Sequence, residues 1–289
     1  MSRHYAVAFL AGHGIGPEVT AEASRAVGAA ARLHGFVVED HHVPFGADAF
    51  MRFGHPYPSS SRRAVLAADA VLVGPGGEAL DPLEAELDVR ASLTRLRFDD
   101  RYELSLLAPA DDDDWEWTLR RAIRIASGSR ARLAVVGPAP EPSAALDGLE
   151  LERLSPTEAM RALVVEPQRF DVLVCPRELG AAAAEVAACT RQRRTAAWGR
   201  LAVGGPSVFG AGLDPEHEVA GQGVADPRPM LLAAAVMLGE GLGERRAAAS
   251  LALALDRTKG GGPSTRGVCD GVLAELPLGL EVEFLREAV

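Results

Sequence analysis

The chain of 289 residues contains no asparagine, a single lysine (Lys259) and three tyrosines, Tyr5, Tyr57 and Tyr102. Chemistry that needs a lysine base or a tyrosine acid has almost nothing to draw on. Aromatic residues make up 5% against 48% hydrophobic residues, so the core must be built from small aliphatic side chains. The three cysteines, Cys175, Cys189 and Cys269, are odd in number, far apart and free of CxxC spacing. That argues against a disulfide framework and for reduced, buried thiols. Thirty basic residues face 40 acidic ones, a net charge of −10, and no Lys/Arg cluster forms a phosphate-binding face. Nucleic acid and anionic membranes are therefore excluded as expected partners. No apolar run reaches the ~18 residues of a membrane span, and "MSRHYAVAFL" is too short for a signal peptide. The expectation is a cytoplasmic protein.

What is present is an alternation of strand and helix patterns. "YAVAFLAG" (5–12) precedes a helix at 17–33 that opens with Pro17 and Glu18. "FVVEDHHV" (36–43) reads as a second strand and "DAVLVGPGG" (69–77) as a buried one ended by glycines. Strands at 101–109, 132–137 and 169–175, a helix at 111–126 and a Pro-rich connection at 137–148 follow. Two apolar helices from 227 onward, split near Gly241–Gly243, and a helix at 264–276 complete the reading. This order predicts an α/β protein with sheet covered on both faces. The acids of "DDDD" (111–114) suit a solvated helix start, the "WEW" tryptophans suit packing, and His41 and His42 must face opposite sides of a strand.

The sharpest motif is "AGHGIGPEVTAEASRAV" (11–27), a glycine loop running into a helix N-terminus. Its glycines at 12, 14 and 16 do not have GxGxxG spacing, so by spacing alone it is a tight strand-to-helix turn. The stretch nevertheless resembles the N-terminal loop and first helix of the isocitrate/isopropylmalate dehydrogenase family, β-hydroxyacid oxidative decarboxylases. Further blocks resemble the family in the same order: "VPFGADAFMRFGHPYP" (43–58), the glycine loop "AVLVGPGGEALDP" (70–82), and "LTRLRF" (93–98) as the substrate-binding arginine helix. "RFDVLVCPRELGAAAAE" (169–185) resembles the strand and helix of the metal carboxylates. "VAGQGVADPRPMLLAAAVMLGEGLG" (219–243) resembles the adenosine-binding loop and following helix, and "TKGGGPSTRGVCDGVLAEL" the C-terminal helix. The resemblance implies a two-domain α/β fold with central sheets flanked by helices. One domain is expected at 1–99 plus 193–289 on the cofactor side. The other is expected at 100–192, on the dimerisation and metal side, with the dimerisation arm shortened or absent.

In the family a divalent ion binds the substrate's hydroxyl and carboxylate, a lysine takes the proton, hydride passes to NAD(P), and a tyrosine protonates the product. By resemblance, the metal carboxylates fall on Ala181 and Glu185, with Glu158 as the one given by a partner subunit. Only two of the three are acids. The lysine position falls within "LAVVGPAPEP", and no tyrosine follows Tyr102. Arg97 matches the first substrate arginine, but the next is Ala108. The cofactor remnant comprises Gly14, Ile15, Gly76, Gly77, Glu218 and Asp226, with Asp226 in place of the adenine-reading asparagine and His13 in place of the loop aspartate. NAD and Mg²⁺ are the family's cofactors, and both sites look degraded, so no catalytic or metal-ligating residue is assigned.

The expected function is a non-catalytic or regulatory subunit, a homodimer or a heterodimer with a catalytic paralogue, held by helices at 155–165 and 178–190. An alternative is an enzyme with altered chemistry on a small carboxylic acid, built on Arg97, His13, Glu158 and Glu185. A second is an active NAD(P)-dependent dehydrogenase, which needs every lost group to be compensated.

Overall fold

The computed structural model describes residues 2–76, 80–98, 102–142, 148–189, 194–212, 216–258 and 262–277. In chain order the elements begin with β1 (Arg3–Leu10), α1 (Gly16–His34), β2 (Phe36–Val43), α2 (Gly46–Phe53), α3 (Ser59–Leu66), β3 (Ala70–Val73) and α4 (Leu80–Glu84). Next come β4 (Val89–Phe98), β5 (Glu103–Pro109), α5 (Trp115–Ala126), β6 (Arg132–Val136), β7 (Glu150–Leu154), α6 (Pro156–Val165), β8 (Val172–Val174) and α7 (Arg177–Cys189). The last are β9 (Arg194–Ala202), β10 (Ser207–Ala211), α8 (Arg228–Val236), α9 (Arg245–Arg257) and α10 (Thr265–Glu275). They form two compact units, the first from 1–88 and 196–289, the second from 89–195.

In the first unit the strands run β2-β1-β3-β10-β9. All neighbouring pairs are parallel except β10 with β9. Period-two alternation sends Ala8, Leu10, Val71, Val73 and Val208 to one face, where they meet Phe45, Tyr57 and Val65 from the α2–α3 region. Helices α1, α8 and α9 pack together and α8 lies against β10. Buried positions Val19, Ala23, Ala26, Val27, Ala30 and Ala31 give α1 one apolar face of small residues, which lets neighbouring backbones come close. Every residue from Met230 to Val236 in α8 is buried, as expected of a helix apolar on all sides. A five-residue π-helical turn, Met237–Gly241, separates it from α9, and a Cβ on Gly241 would lie 2.8 Å from the Phe209 ring.

The second unit has strand order β4-β5-β8-β6-β7, with β4 antiparallel to β5 and the other pairs parallel. Helix α5 buries Trp115, Leu119, Ala122, Ile123 and Ala126.

Two expectations are corrected here. The segment 93–98 is no helix but the end of strand β4. Its alternation of Thr94, Leu96 and Phe98 with Leu93, Arg95 and Arg97 has period two, and Arg97 pairs in register with Glu103. The run 111–114 is not uniformly solvated either. Asp111, Asp112 and Asp113 are exposed, but Asp114 is 3% exposed, accepts a 2.9 Å bond from Arg90 and caps the backbone N–H of Asp111. His42 stacks on Phe9 at 5.1 Å while His41 lies 3.6 Å from Glu39, so the two histidines do diverge. Among the described residues no helix is long and apolar enough to cross a membrane.

Candidate functional site

In the first unit the chain passes from β1 to β2 on one side, then to β3 on the other. The loops leaving the C-terminal ends of β1 and β3 therefore flank a topological switch point, where open parallel sheets hold ligands. Both loops are glycine-rich, and both are tied together. The His13 N–H donates to Pro75 O at 3.0 Å, and the Gly16 N–H donates to His13 O at 2.9 Å. A Cβ on Gly12 would stand 2.0 Å from Pro75 O, one on Gly16 2.1 Å from Ala11 O, and one on Gly74 2.2 Å from Ala11 O. These glycines let one backbone cross another, so their lack of side chains serves packing between loops rather than approach to a ligand.

His13 completes the closure. A Cβ on Gly76, which has φ +76°, would fall 2.6 Å from the His13 ring. The His13 ring also stacks on His217, with centroids 4.8 Å apart and planes inclined by 13°. His217 comes from the short turn His217–Val219, some two hundred residues along the chain from His13. Nothing in the spacing of "LDPEHE" points to this pairing, and sequence reading singled out Glu218 there instead.

The rest of the expected cofactor remnant is engaged locally. Ile15 is buried at 1% exposure in the turn before α1, and Gly14 has φ +62° there. Glu218 is exposed, and its carbonyl accepts from the Gln222 side chain at 2.8 Å. Asp226 accepts both the backbone N–H and the guanidinium of Arg228, at 3.0 and 2.9 Å, so its carboxylate is held at the start of α8. Glu18 accepts the Gly223 N–H at 2.8 Å while Gly223 O accepts from Thr265, clamping this loop to α1 and α10. Gly77 and Lys259 lie outside the described residues.

In the second unit Arg97 and Glu158 also have partners of their own. Arg97, 11% exposed, forms a 2.6 Å ion pair with Glu103 on the adjacent strand. Ala108 is buried beneath α7, where a Cβ on Gly180 would reach it at 3.0 Å, so the helix occupies the room a longer side chain would need. Glu158 accepts from the Ser155 N–H at 2.9 Å and the Ser155 hydroxyl at 2.7 Å. These bonds favour the carboxylate and hold it below the usual acid range, and they close a capping box on α6. Glu185 and Ala181, one turn apart on α7, are exposed. No three His, Cys, Asp or Glu side chains converge among the described residues.

Residues 6–102 match the sequence pattern of the isocitrate/isopropylmalate dehydrogenase family. A 3-isopropylmalate dehydrogenase of Chromobacterium violaceum is 39% identical over 94 residues, which is 32% of this chain and 26% of that protein. The first relatives are thus matched over about a quarter of their length. The 3-isopropylmalate dehydrogenase of Synechococcus sp. is 27% identical over 335 aligned positions covering 91% of this chain and 92% of that one. A beta-decarboxylating dehydrogenase from Thermococcus kodakarensis superposes with a TM-score of 0.77 at 21% identity, over 94% of this chain and 96% of that chain. Residues 6–102 share the sequence pattern of the isocitrate/isopropylmalate dehydrogenase family, and nearly the whole chain shares the fold of these dehydrogenases. The 335 aligned positions exceed the 289 residues available, so the chain is shortened by internal deletions relative to the Synechococcus protein. An isocitrate dehydrogenase from Methylococcus capsulatus shares the fold, at a TM-score of 0.73 and 18% identity over 94% of this chain and 99% of that chain.

The likeness to this family implies a divalent ion and a dinucleotide, and neither fits the residues as they stand. A hard cation needs several oxygen ligands. The Glu158 carboxylate is turned onto its own helix, and alanine stands one turn from Glu185. At the switch point an imidazole covers Gly76, and Asp226 is bound to Arg228.

Proposed function

We propose that this chain is a family member that keeps the scaffold but has lost metal- and NAD-dependent oxidative decarboxylation, and that it acts as a non-catalytic or regulatory subunit. One observation carries the reading: four of the polar groups retained at family positions are spent within the chain. Arg97 serves Glu103, Glu158 serves Ser155, Asp226 serves Arg228, and His13 stacks on His217. A residue that must bind substrate or metal cannot keep these partners at the same time.

In this reading the first unit corresponds to the cofactor side and the second to the dimerisation side, in a protein of the cytoplasm. A dimer, with itself or with a catalytic paralogue, is held by 155–165 and 178–190. Exposed Val164 (59%) and Val165 (66%) at the end of α6 support that placement. A small carboxylate is the ligand class retained as an alternative to full loss of the site. The test is to purify the tagged chain from its own host and identify what elutes with it. Recovery of a dimer or of a catalytic paralogue whose kinetics change on mixing is expected. A monomer at tens of micromolar with no partner would overturn the subunit role.

A further inference from the structure

The His13 ring, close against Gly76 and stacked on the His217 ring, occupies the place at the switch point where the parallel sheet would seat a ligand. We infer that His217 is a built-in plug: it covers the face of His13 on which a planar heterocycle, such as a nucleotide base, would stack. Three features support a plug rather than a chance contact. The His13 backbone is fixed by its bond to Pro75 O, so the ring is aimed by a rigid loop. Gly76 removes any side chain that would displace that ring. His217 opens a short, exposed turn, and Glu216 just before it has the rare φ of +37°, so its seat on His13 is not set by a long helix or strand of its own.

The plug competes with an incoming base for one aromatic face. Removing it should therefore raise affinity by about the worth of one stacked pair, roughly five- to tenfold. The family reading enters only in the choice of NAD⁺ and AMP as probes, and turnover is a separate measurement. Both probes are titrated calorimetrically, up to millimolar concentrations, into the wild-type chain, His217→Ala and His217→Phe. The alanine variant is expected to bind AMP and NAD⁺ five- to tenfold more tightly than wild type. The phenylalanine variant keeps a ring over His13 and should stay at the wild-type value. Proton NMR of the His13 ring checks the stack, since its ring-current shift must be present in wild type and vanish in His217→Ala. Equal affinity of wild type and His217→Ala, including no binding by either, overturns the plug. So does tight binding by His217→Phe, or an absent ring-current shift in wild type. Dehydrogenase turnover by wild type would refute the proposed loss of activity while leaving this comparison intact. A silent enzyme whose alanine variant gains nothing refutes the plug alone.

Discussion

Two glycines with nearly the same backbone angle allow loop closure to be measured apart from backbone strain. Gly12 has φ +71° and Gly54 has φ +72°, so alanine at either pays a similar left-handed cost. That cost is about 1–2 kcal/mol, offset in part by the loss of unfolded-state freedom. At Gly54 nothing lies within 4 Å of the added Cβ. At Gly12 the Cβ would stand 2.0 Å from Pro75 O and 2.9 Å from Gly74 O, both rigid backbone atoms. Relieving such an overlap costs about 1–3 kcal/mol, and separating the loops also removes the His13 N–H bond to Pro75, worth about 1 kcal/mol. Gly12→Ala should therefore destabilise the first unit by about 2–4 kcal/mol more than Gly54→Ala. Hydrogen exchange followed by mass spectrometry reads this on peptides from β1 and β3, with β5 of the second unit as the control. Equal exchange in the two variants would mean that the loops do not cross as described and that the glycine motif has another purpose.

Asp114→Ala leaves Arg90 without its buried acid and removes a cap. It should destabilise the second unit by roughly 1–3 kcal/mol, less than a fully buried pair because the Arg90 side chain is 39% exposed, whereas Asp112→Ala should be near neutral in urea unfolding followed by tryptophan fluorescence. Burial pushes the Cys175 and Cys269 thiols up to about 12, so a thiol reagent at pH 8 should label these two only on unfolding. Cys189 is exposed, contrary to the expectation of buried thiols, and its labelling should be slowed by the proposed dimer contact on 178–190. Desolvation lowers the pKa of His34, against a weaker opposing pull from Glu244, and His34 is paired with Ser250 at 3.0 Å. The folded chain thus resists protonating it. Its contribution is complete above the usual imidazole value and lost as pH falls through that value towards the lower folded one. His34→Gln should accordingly flatten the decline in melting temperature between pH 7 and 5, and an unchanged slope would remove His34 from the explanation.

Much of the scaffold was legible because its signals are local. The run 36–43 reads as a strand with the bounds it has, and α1, α5, α9 and α10 follow from apolar spacing. Family likeness points to a helix at 93–98, whereas the period-two alternation of its own residues makes this segment the end of β4. Strands β7, β9 and β10 were not assigned: β7 is short and charged, while β9 and β10 are rich in alanine and glycine, which mark strands poorly. At the candidate site the single lysine, the three tyrosines and the alanine at 181 are visible in residue types alone. The uses found for what remains are not. His13 with His217, Glu18 with Gly223 and Arg90 with Asp114 join residues by three-dimensional placement, and no spacing rule encodes them.

The central claim is that the chain does not oxidise β-hydroxyacids. A positioned base contributes about 10²–10⁴-fold and a Lewis acid several further kcal/mol, so losing both should put turnover beneath detection unless they act as one unit. The direct measurement is NADH or NADPH formation at 340 nm by the purified chain, free of any paralogue. The substrates are isopropylmalate, isocitrate, malate and tartrate, with Mg²⁺ or Mn²⁺. No formation is expected from any of them, nor from Ala181→Asp, which restores one carboxylate but neither lysine nor tyrosine. Sustained NAD(P)H production by the wild-type chain would contradict the account.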